Sequence, residues 1–116
     1  MRDLLWVEDL LDAYDAAFAN IDKVAGEVLN IGGGTERSLS VWQELRPRLE
    51  ALVGRPLTAS FHPWRPGEQK VYVSDIGKAG RLLGWQPRVG LEEGIARLVE
   101  WARHAAARST DHRWPR

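Results

Sequence analysis

The chain has 116 residues, 44% hydrophobic and 28% charged, as in a single folded domain rather than a disordered segment. Its 16 basic and 16 acidic residues cancel, so no overall field attracts nucleic acid or an anionic membrane. With no cysteine, disulfides, thiolate chemistry and cysteine-based zinc sites are excluded. No run approaches the roughly 18 apolar residues of a membrane span, and carboxylates interrupt the N-terminus where a signal peptide would be apolar. We expect a cytoplasmic protein that binds neither nucleic acid nor membrane.

The first third of the sequence predicts a strand, a helix and a second strand. Leu4–Val7 is a short apolar run that fits a strand. After Asp9, apolar residues recur at helical spacing. They form one stripe: Leu10, Tyr14, Ala17, Phe18 and Ile21. Gly26 ends this pattern, and the compact run Val28–Ile31 is typical of a strand in a parallel sheet covered on both faces.

Three glycines, Gly32–Gly34, follow this strand at a place where glycine-rich loops often bind phosphate. The dinucleotide fingerprint needs glycine at its first, third and sixth positions, but the sixth position counted from Gly32 is Arg37. The Gly-Lys-Ser/Thr sequence of the other phosphate-binding loop does not follow either. We therefore interpret Gly32–Gly34 as a plain turn.

A second helix is predicted after Ser40, which with Gln43 fits a capping box. Its apolar stripe is predicted to be buried: Trp42, Leu45, Leu49, Leu52 and Val53. Pro47 lies inside this pattern and should kink the helix or split it into two short turns, and Gly54 should end it. Residues 57–62 then alternate apolar and polar side chains, which is typical of a half-buried strand.

The stretch His62–Asp75 concentrates the residues best suited to binding a ligand. Arg65 precedes a tight Pro66-Gly67 turn, whose geometry these two residues largely determine, and Glu68 follows at once. A guanidinium can bind phosphate oxygens bidentately, and a carboxylate can accept hydrogen bonds from a sugar diol. Three residues of chain hold the pair within about 10 Å, which suits a ligand that carries both groups. The alternative is an exposed polar turn without a ligand.

A short strand, Val71–Val73, and two helices are predicted to complete the chain. The first helix follows Ser74-Asp75, which can cap it, and ends at Gly84. The second helix carries an apolar stripe: Leu91, Ile95, Leu98, Val99 and Ala102. From about Arg108 the tail has no periodicity and is expected to fray.

No catalytic or metal-binding set can be assembled from the residues alone. Three histidines share no metal-ligand spacing and are interpreted as surface residues. They are His62, His104 and His112. Neither Tyr14 nor Tyr72 has a lysine four residues later that could activate it as a base. There is no G-x-S-x-G nucleophile motif.

Four motifs occur along the chain in a fixed order. They are RDLLWVEDL from Arg2, NIGGG from Asn30, WRPGEQKVYVSD from Trp64 and LGWQP from Leu83. In this order they resemble the C-terminal part of the extended short-chain dehydrogenases/reductases, the NAD-dependent nucleotide-sugar epimerases and dehydratases. The forms of the motifs are most similar to those of the CDP-paratose/CDP-tyvelose 2-epimerases, and the likeness extends from Arg2 to about Ala102.

The resemblance implies three substrate-binding residues. Arg2 and Arg65 match family arginines that contact the substrate diphosphate. Glu68 stands where the family's turn usually has the aspartate that hydrogen-bonds the nucleoside ribose, and glutamate is one methylene longer. The implied ligand is a nucleotide-diphosphate sugar, with a CDP-sugar favoured over a UDP-sugar. The alternative for Arg2, which follows Met1, is a terminal residue with no binding role.

The resemblance also implies an α/β fold with an incomplete catalytic apparatus. Residues 1–34 would be a remnant of the Rossmann-type parallel sheet with its last helix and strand, residues 35–107 a small mixed α/β substrate-binding lobe, and residues 108–116 a disordered tail. The family's NAD loop and Tyr-x-x-x-Lys pair lie upstream of the matched motifs. We therefore expect no catalytic residues, no metal and no NAD site in this chain, and no activity from the chain alone. An N-terminal Rossmann part would be a separate partner.

A homodimer is expected from the apolar surface that such a remnant would expose. Without the rest of the sheet, Val28 and Ile31 would be uncovered together with Leu10, Tyr14 and Phe18. Large bare apolar patches seldom persist on monomers, so a two-fold dimer through this face or through strand pairing is predicted.

Three functions stay open: a substrate-binding lobe of an epimerase, the same lobe of a dehydratase, and a non-enzymatic self-association module with a vestigial ligand site.

Overall fold

The computed structural model describes residues 1–108, which form five helices and one two-stranded sheet. The helices are α1 (Val7–Ala19), α2 (Ile21–Val24), α3 (Arg46–Val53), α4 (Gly77–Leu83) and α5 (Leu91–Arg108). Strands β1 (Arg2–Asp3) and β2 (Ser38–Leu39) pair antiparallel. The described part is thus α/β in the coarse sense, with helices predominating. The tail predicted to fray, residues 109–116, lies outside the described residues.

The N-terminal helix forms as predicted, but the strand predicted before it is wrong. Leu4–Trp6 is an extended connection, and Val7 already begins α1. This connection pairs with another segment only through the hydrogen bond, 2.9 Å long, from the amide of Leu4 to the carbonyl of Arg37. The buried face of α1 consists of Asp9 and Ala13, and not of the predicted apolar stripe.

A small core joins α1 to the C-terminal half of the chain. Ala13, Ala79 and Trp85 are buried together. Half-buried apolar side chains pack around them: Leu5, Ala16, Ile31, Ile76 and Leu83. The carboxylate of Asp9 accepts hydrogen bonds from the amides of Arg88 (2.9 Å) and Val89 (3.0 Å). One core therefore draws on residues from both sides of position 34.

The remaining predicted strands are wrong or reduced. Residues 28–31 and residues 57–62 are not assigned to any strand. Val71–Val73 is reduced to a single parallel bridge between Tyr72 and Arg2. The physical reason is that a strand exists only through the hydrogen bonds of a neighbouring strand, and the described part of the chain gives residues 28–31 no such neighbour.

The proline in the middle of the chain divides the second predicted helix. Ser40 caps the amide of Gln43 at 3.3 Å, as predicted, but the turn that follows, Val41–Leu45, is π-helical. Pro47 lies in the first turn of α3, where its absent N–H costs nothing. Gly54 ends α3 in the left-handed conformation at φ 74°. The predicted buried stripe is at most half-buried, since the turn and α3 contain no buried residue.

The two C-terminal helices form where the sequence predicts them. Gly84 ends α4 in the left-handed conformation. Ile95 and Val99 of α5 are buried, whereas Leu98 and Trp101 are exposed. Across residues 1–108, no helix combines the length and apolar character needed to cross a bilayer.

Candidate functional site

The predicted Pro66-Gly67 turn is present. The amide of Glu68 donates to the carbonyl of Arg65 at 3.1 Å, which closes a four-residue β-turn. Gly67 has a φ of 79°, as the third residue of a type II turn requires, and proline precedes it. Local sequence alone therefore sets the backbone that carries Arg65 and Glu68.

The Arg65 side chain extends into solvent from this turn. It is 87% exposed, and its Nε lies 3.9 Å from a carboxylate oxygen of Glu68. The same Glu68 oxygen accepts a hydrogen bond from the Arg65 amide at 3.3 Å. An exposed ion pair of this length contributes little free energy. The Arg65 guanidinium is therefore held only weakly by this contact, while the Glu68 carboxylate is also bonded to the backbone of the turn.

Arg2 lies beside the segment that follows the turn. Its guanidinium donates to the carbonyl of Met1 at 2.8 Å and also to the carbonyl of Gln69. Residues 70–72 continue along the same edge, because the Tyr72 amide donates to the carbonyl of Met1 and the Asp3 amide donates to the carbonyl of Tyr72. The chain thus aligns two segments almost seventy residues apart, and Arg2 is held in place rather than left as a loose terminal residue.

The Asp3 carboxylate, whose role was not predicted from the sequence, connects these segments to the loop Gly32–Gly34 through hydrogen bonds. One carboxylate oxygen of Asp3 accepts two hydrogen bonds, from the amides of Gly34 and Ser74, each 3.1 Å long. Burial alone would raise the pKa of the Asp3 carboxyl, but these hydrogen bonds and one from the Ser74 side chain outweigh it and lower that pKa below its usual range. A signal for this role was available, since Asp3 and Ser74 both lie in the motifs quoted above.

The three predicted binding residues do not line an enclosed pocket. A cavity of about 670 Å³ lies between residues 33–37, 73–81 and 86–87, and Arg2, Arg65 and Glu68 are not among its lining residues. Arg37 borders this cavity, but its guanidinium already donates to the carbonyls of Pro87 (2.7 Å) and Val89 (2.9 Å). In this chain the Arg65 turn is therefore an open surface.

The glycine triplet serves internal packing. A side-chain carbon at Gly32 would collide with the Ser74 side chain and the Asp3 carboxylate, and one at Gly33 with the backbone carbonyl of Leu4. The amide of Gly34 is already bonded to Asp3. Gly32–Gly34 is thus a buried loop packed against its own chain, and its Gly34 amide is not available to a pyrophosphate, so this loop does not fit an NAD group. Within the described ranges, no three acidic or histidine side chains are grouped to hold a metal ion. His112 lies outside those ranges.

Comparison with known proteins places the chain in a family. The family model described as GDP-mannose 4,6 dehydratase matches residues 1–98. CDP-paratose 2-epimerase of Salmonella typhi is 35% identical over 101 residues, which cover 87% of this chain. UDP-glucose 4-epimerase of Mycolicibacterium smegmatis is 38% identical over 103 residues, or 89% of the chain. dTDP-glucose 4,6-dehydratase of Salmonella typhimurium is 36% identical over 108 residues, or 87% of the chain.

The matched region is only a part of each relative. The chain spans 30% of the CDP-paratose 2-epimerase, 31% of the UDP-glucose 4-epimerase and 29% of the dTDP-glucose 4,6-dehydratase. The resemblance to a C-terminal part of the extended short-chain dehydrogenases/reductases is thereby confirmed. The chain belongs to the GDP-mannose 4,6 dehydratase family of nucleotide-sugar epimerases and dehydratases.

Proposed function

We propose that this chain is the nucleotide-diphosphate-sugar-binding lobe of an NAD-dependent epimerase or dehydratase. The observation that supports it is the hydrogen bond from the Arg2 guanidinium to the carbonyl of Gln69, next to the turn that carries Arg65 and Glu68. One guanidinium on the turn and a second beside the segment that follows it suit a diphosphate, for which arginine is a bidentate partner. The Glu68 carboxylate would accept hydrogen bonds from the ribose hydroxyls. Residues 1–34 would be the remnant of the nucleotide-binding fold and residues 35–107 the substrate lobe.

A CDP-sugar is the favoured ligand within this proposal. The support is the likeness to CDP-paratose 2-epimerase at 35% identity, together with the shared motifs around Arg2 and Trp64–Asp75. The relatives named for UDP-glucose and dTDP-glucose are similarly identical, so UDP-sugars and dTDP-sugars are the natural competitors in a titration.

The lone chain is proposed to be catalytically incomplete. Hydride transfer at a sugar carbon needs a bound nicotinamide and a positioned base. The glycine loop is occupied by packing against Asp3 and Ser74, and neither Tyr14 nor Tyr72 has a lysine at the required spacing. A separate Rossmann part would supply NAD and the base. Turnover of any nucleotide sugar by the purified chain in a steady-state assay would contradict this part of the proposal.

A second proposal, self-association into a homodimer, is supported by an exposed apolar stripe on α1. Its members recur at alternating spacings of four and three residues, which places them on one helical face. They are Val7, Leu11, Tyr14 and Phe18, all exposed, and the exposed Ile21 follows at the start of α2. Val28, also exposed, follows α2, whereas Leu10 and Ile31, which were predicted to belong to this face, are half-buried. Because a bare apolar face of this length is unfavourable in water, a second copy related by a two-fold axis is proposed to cover it.

Titration calorimetry with CDP and UDP tests the binding function. Arg65→Ala should remove most of the affinity for either nucleotide. Arg88→Ala is a matched control, because Arg88 is 84% exposed and lies 4.0 Å from a carboxylate oxygen of Asp12, much as Arg65 faces Glu68. Equal effects of the two substitutions would contradict the proposed site.

A further inference from the structure

Trp64 presents a large apolar ring next to the proposed diphosphate site. It immediately precedes Arg65 and is 61% exposed. Leaving such a ring in water costs about 25 cal/mol for each Å² of apolar surface that could be buried. An exposed tryptophan beside a cationic turn is therefore a feature that core packing does not explain.

The surroundings of Trp64 hold its ring near the turn. The ammonium of Lys70 lies 5.6 Å from the centroid of the Trp64 ring, within the range of a cation–π contact. The backbone carbonyl of Lys70 accepts from the amino group of Met1 at 2.8 Å, so this lysine belongs to the edge that also carries Arg2. The ring thus lies within cation–π distance of a residue that belongs to the segment aligned with β1.

A nucleoside diphosphate carries a base, a ribose and a diphosphate, and the segment around the turn offers a suitable side chain for each. The Glu68 carboxylate is folded against the Arg65 backbone, and Trp64 and Arg65 are neighbours whose Cα atoms are about 3.8 Å apart. A base on the Trp64 ring, a ribose at Glu68 and a diphosphate at Arg65 and Arg2 would then each have a partner. Aromatic side chains bind nucleobases by stacking, which adds affinity for any base because every base has a π-face.

We propose that Trp64 is the nucleobase platform of this site, on which the base of a nucleoside diphosphate stacks. This inference rests on the proposed binding function and adds to it the residue that distinguishes a nucleotide from a bare diphosphate. Stacking tolerates different bases, so Trp64 provides affinity for CDP and UDP alike. A preference for cytosine would have to come from other residues.

The test compares CDP, UDP and inorganic pyrophosphate by calorimetric titration of the full chain. Trp64→Ala should weaken both nucleotides by about five- to a hundredfold and leave pyrophosphate unchanged, whereas Trp64→Phe, which keeps an aromatic face, should retain most of the nucleotide affinity. Trp101→Ala is the matched control, because Trp101 is equally exposed, at 61%, and lies on α5. It should change neither ligand.

A wrong stacking role and a wrong binding function would give different results in this titration. If Trp64→Ala leaves CDP affinity unchanged, or weakens CDP and pyrophosphate by the same factor, the stacking role is wrong while an Arg65-dependent site stands. If neither CDP nor pyrophosphate binds the wild-type chain at millimolar concentration, the proposed function fails and the stacking role fails with it.

Discussion

The Arg2 guanidinium donates a hydrogen bond to the backbone carbonyl of Gln69, the residue that follows Glu68. The contact joins the beginning of the chain to the segment that carries the Arg65 turn, and the bridge between Arg2 and Tyr72 continues it. Arg2 thus lies beside the segment that follows the Arg65–Glu68 turn, where the diphosphate is proposed to bind. This arrangement accounts for the proposed diphosphate ligand and leads to the first prediction.

Removing Arg2 should weaken nucleotide binding and leave the fold intact. Arg2→Ala removes one guanidinium from the diphosphate site, and a charge-assisted hydrogen bond contributes about 1.5–3 kcal/mol. The backbone pairing of β1 with Leu39 does not depend on this side chain. CDP affinity should therefore fall at least tenfold by calorimetry, while the circular dichroism spectrum stays unchanged. Unaltered CDP affinity in Arg2→Ala would exclude Arg2 from the site.

The Asp3 carboxylate should make the free energy of unfolding depend on pH in the acid range. Its pKa in the folded chain lies below the ordinary value of 3.8, so the unfolded chain binds this proton first as the pH falls. The stabilisation is therefore complete above about pH 5 and is lost as the pH falls through 3.8 toward the folded pKa. Asp3→Asn should remove this pH-dependent contribution to the free energy of unfolding.

Urea unfolding between about pH 3 and pH 7 measures that effect. At neutral pH Asp3→Asn should cost about 1–3 kcal/mol, because two amides lose a charged acceptor. Asp15→Asn is the control, since Asp15 is an exposed carboxylate on α1. If Asp3→Asn and Asp15→Asn show the same stability at every pH, the proposed role of Asp3 is wrong.

Alanine at Gly33 should be strongly destabilising. The added carbon would meet the backbone carbonyl of Leu4, which cannot rotate away as a side chain could. Overpacking of this kind typically costs about 1–3 kcal/mol. Gly90→Ala is the matched control, because an added carbon at Gly90 meets open space, and its stability should change by no more than about 0.5 kcal/mol. Similar melting temperatures for the two variants would show that the Gly33 contact is not tight.

A charge on the exposed face of α1 should dissociate the proposed dimer. Phe18 is 82% exposed in the single chain and is the last member of the apolar stripe on α1. Burying a carboxylate in a two-fold apolar interface is costly without a partner charge, so Phe18→Glu should be monomeric by light scattering. Phe61→Glu is the control, because it places the same charge on an exposed phenylalanine that is not part of the stripe and packs edge-on against Trp42. A wild-type chain of monomer mass at micromolar concentration would contradict the dimer.

Helices and turns were predictable here because their signals are local. The periodicity after Asp9, the proline at position 47 and the glycine at position 84 each act within a few residues, and the structure contains the corresponding elements. The strands predicted over residues 28–31 and 57–62 failed because strand formation needs a partner segment that local pattern does not supply. Local pattern could not predict the hydrogen bonds of Asp3 either, since Gly34 and Ser74 are 31 and 71 residues away, and only their place in the quoted motifs was a signal.

The turn illustrates how much of the candidate site could be predicted. Proline and glycine fix the backbone at positions 66 and 67, so the sequence predicts the placement of Arg65 and Glu68 relative to each other. The approach of Arg2 depends on the alignment of β1 with residues 69–72, which is a long-range contact. Only the family resemblance indicated that Arg2 belonged with Arg65.

Chemical-shift mapping with CDP tests the central claim most directly. Backbone amide resonances of the labelled chain are followed while CDP is added. The account predicts that the largest shifts cluster at Arg2 and at residues 64–69, and that Arg65→Ala abolishes them. Shifts confined to residues 33–37 and 73–81, which border the 670 Å³ cavity, or the absence of any shift at millimolar CDP, would contradict it.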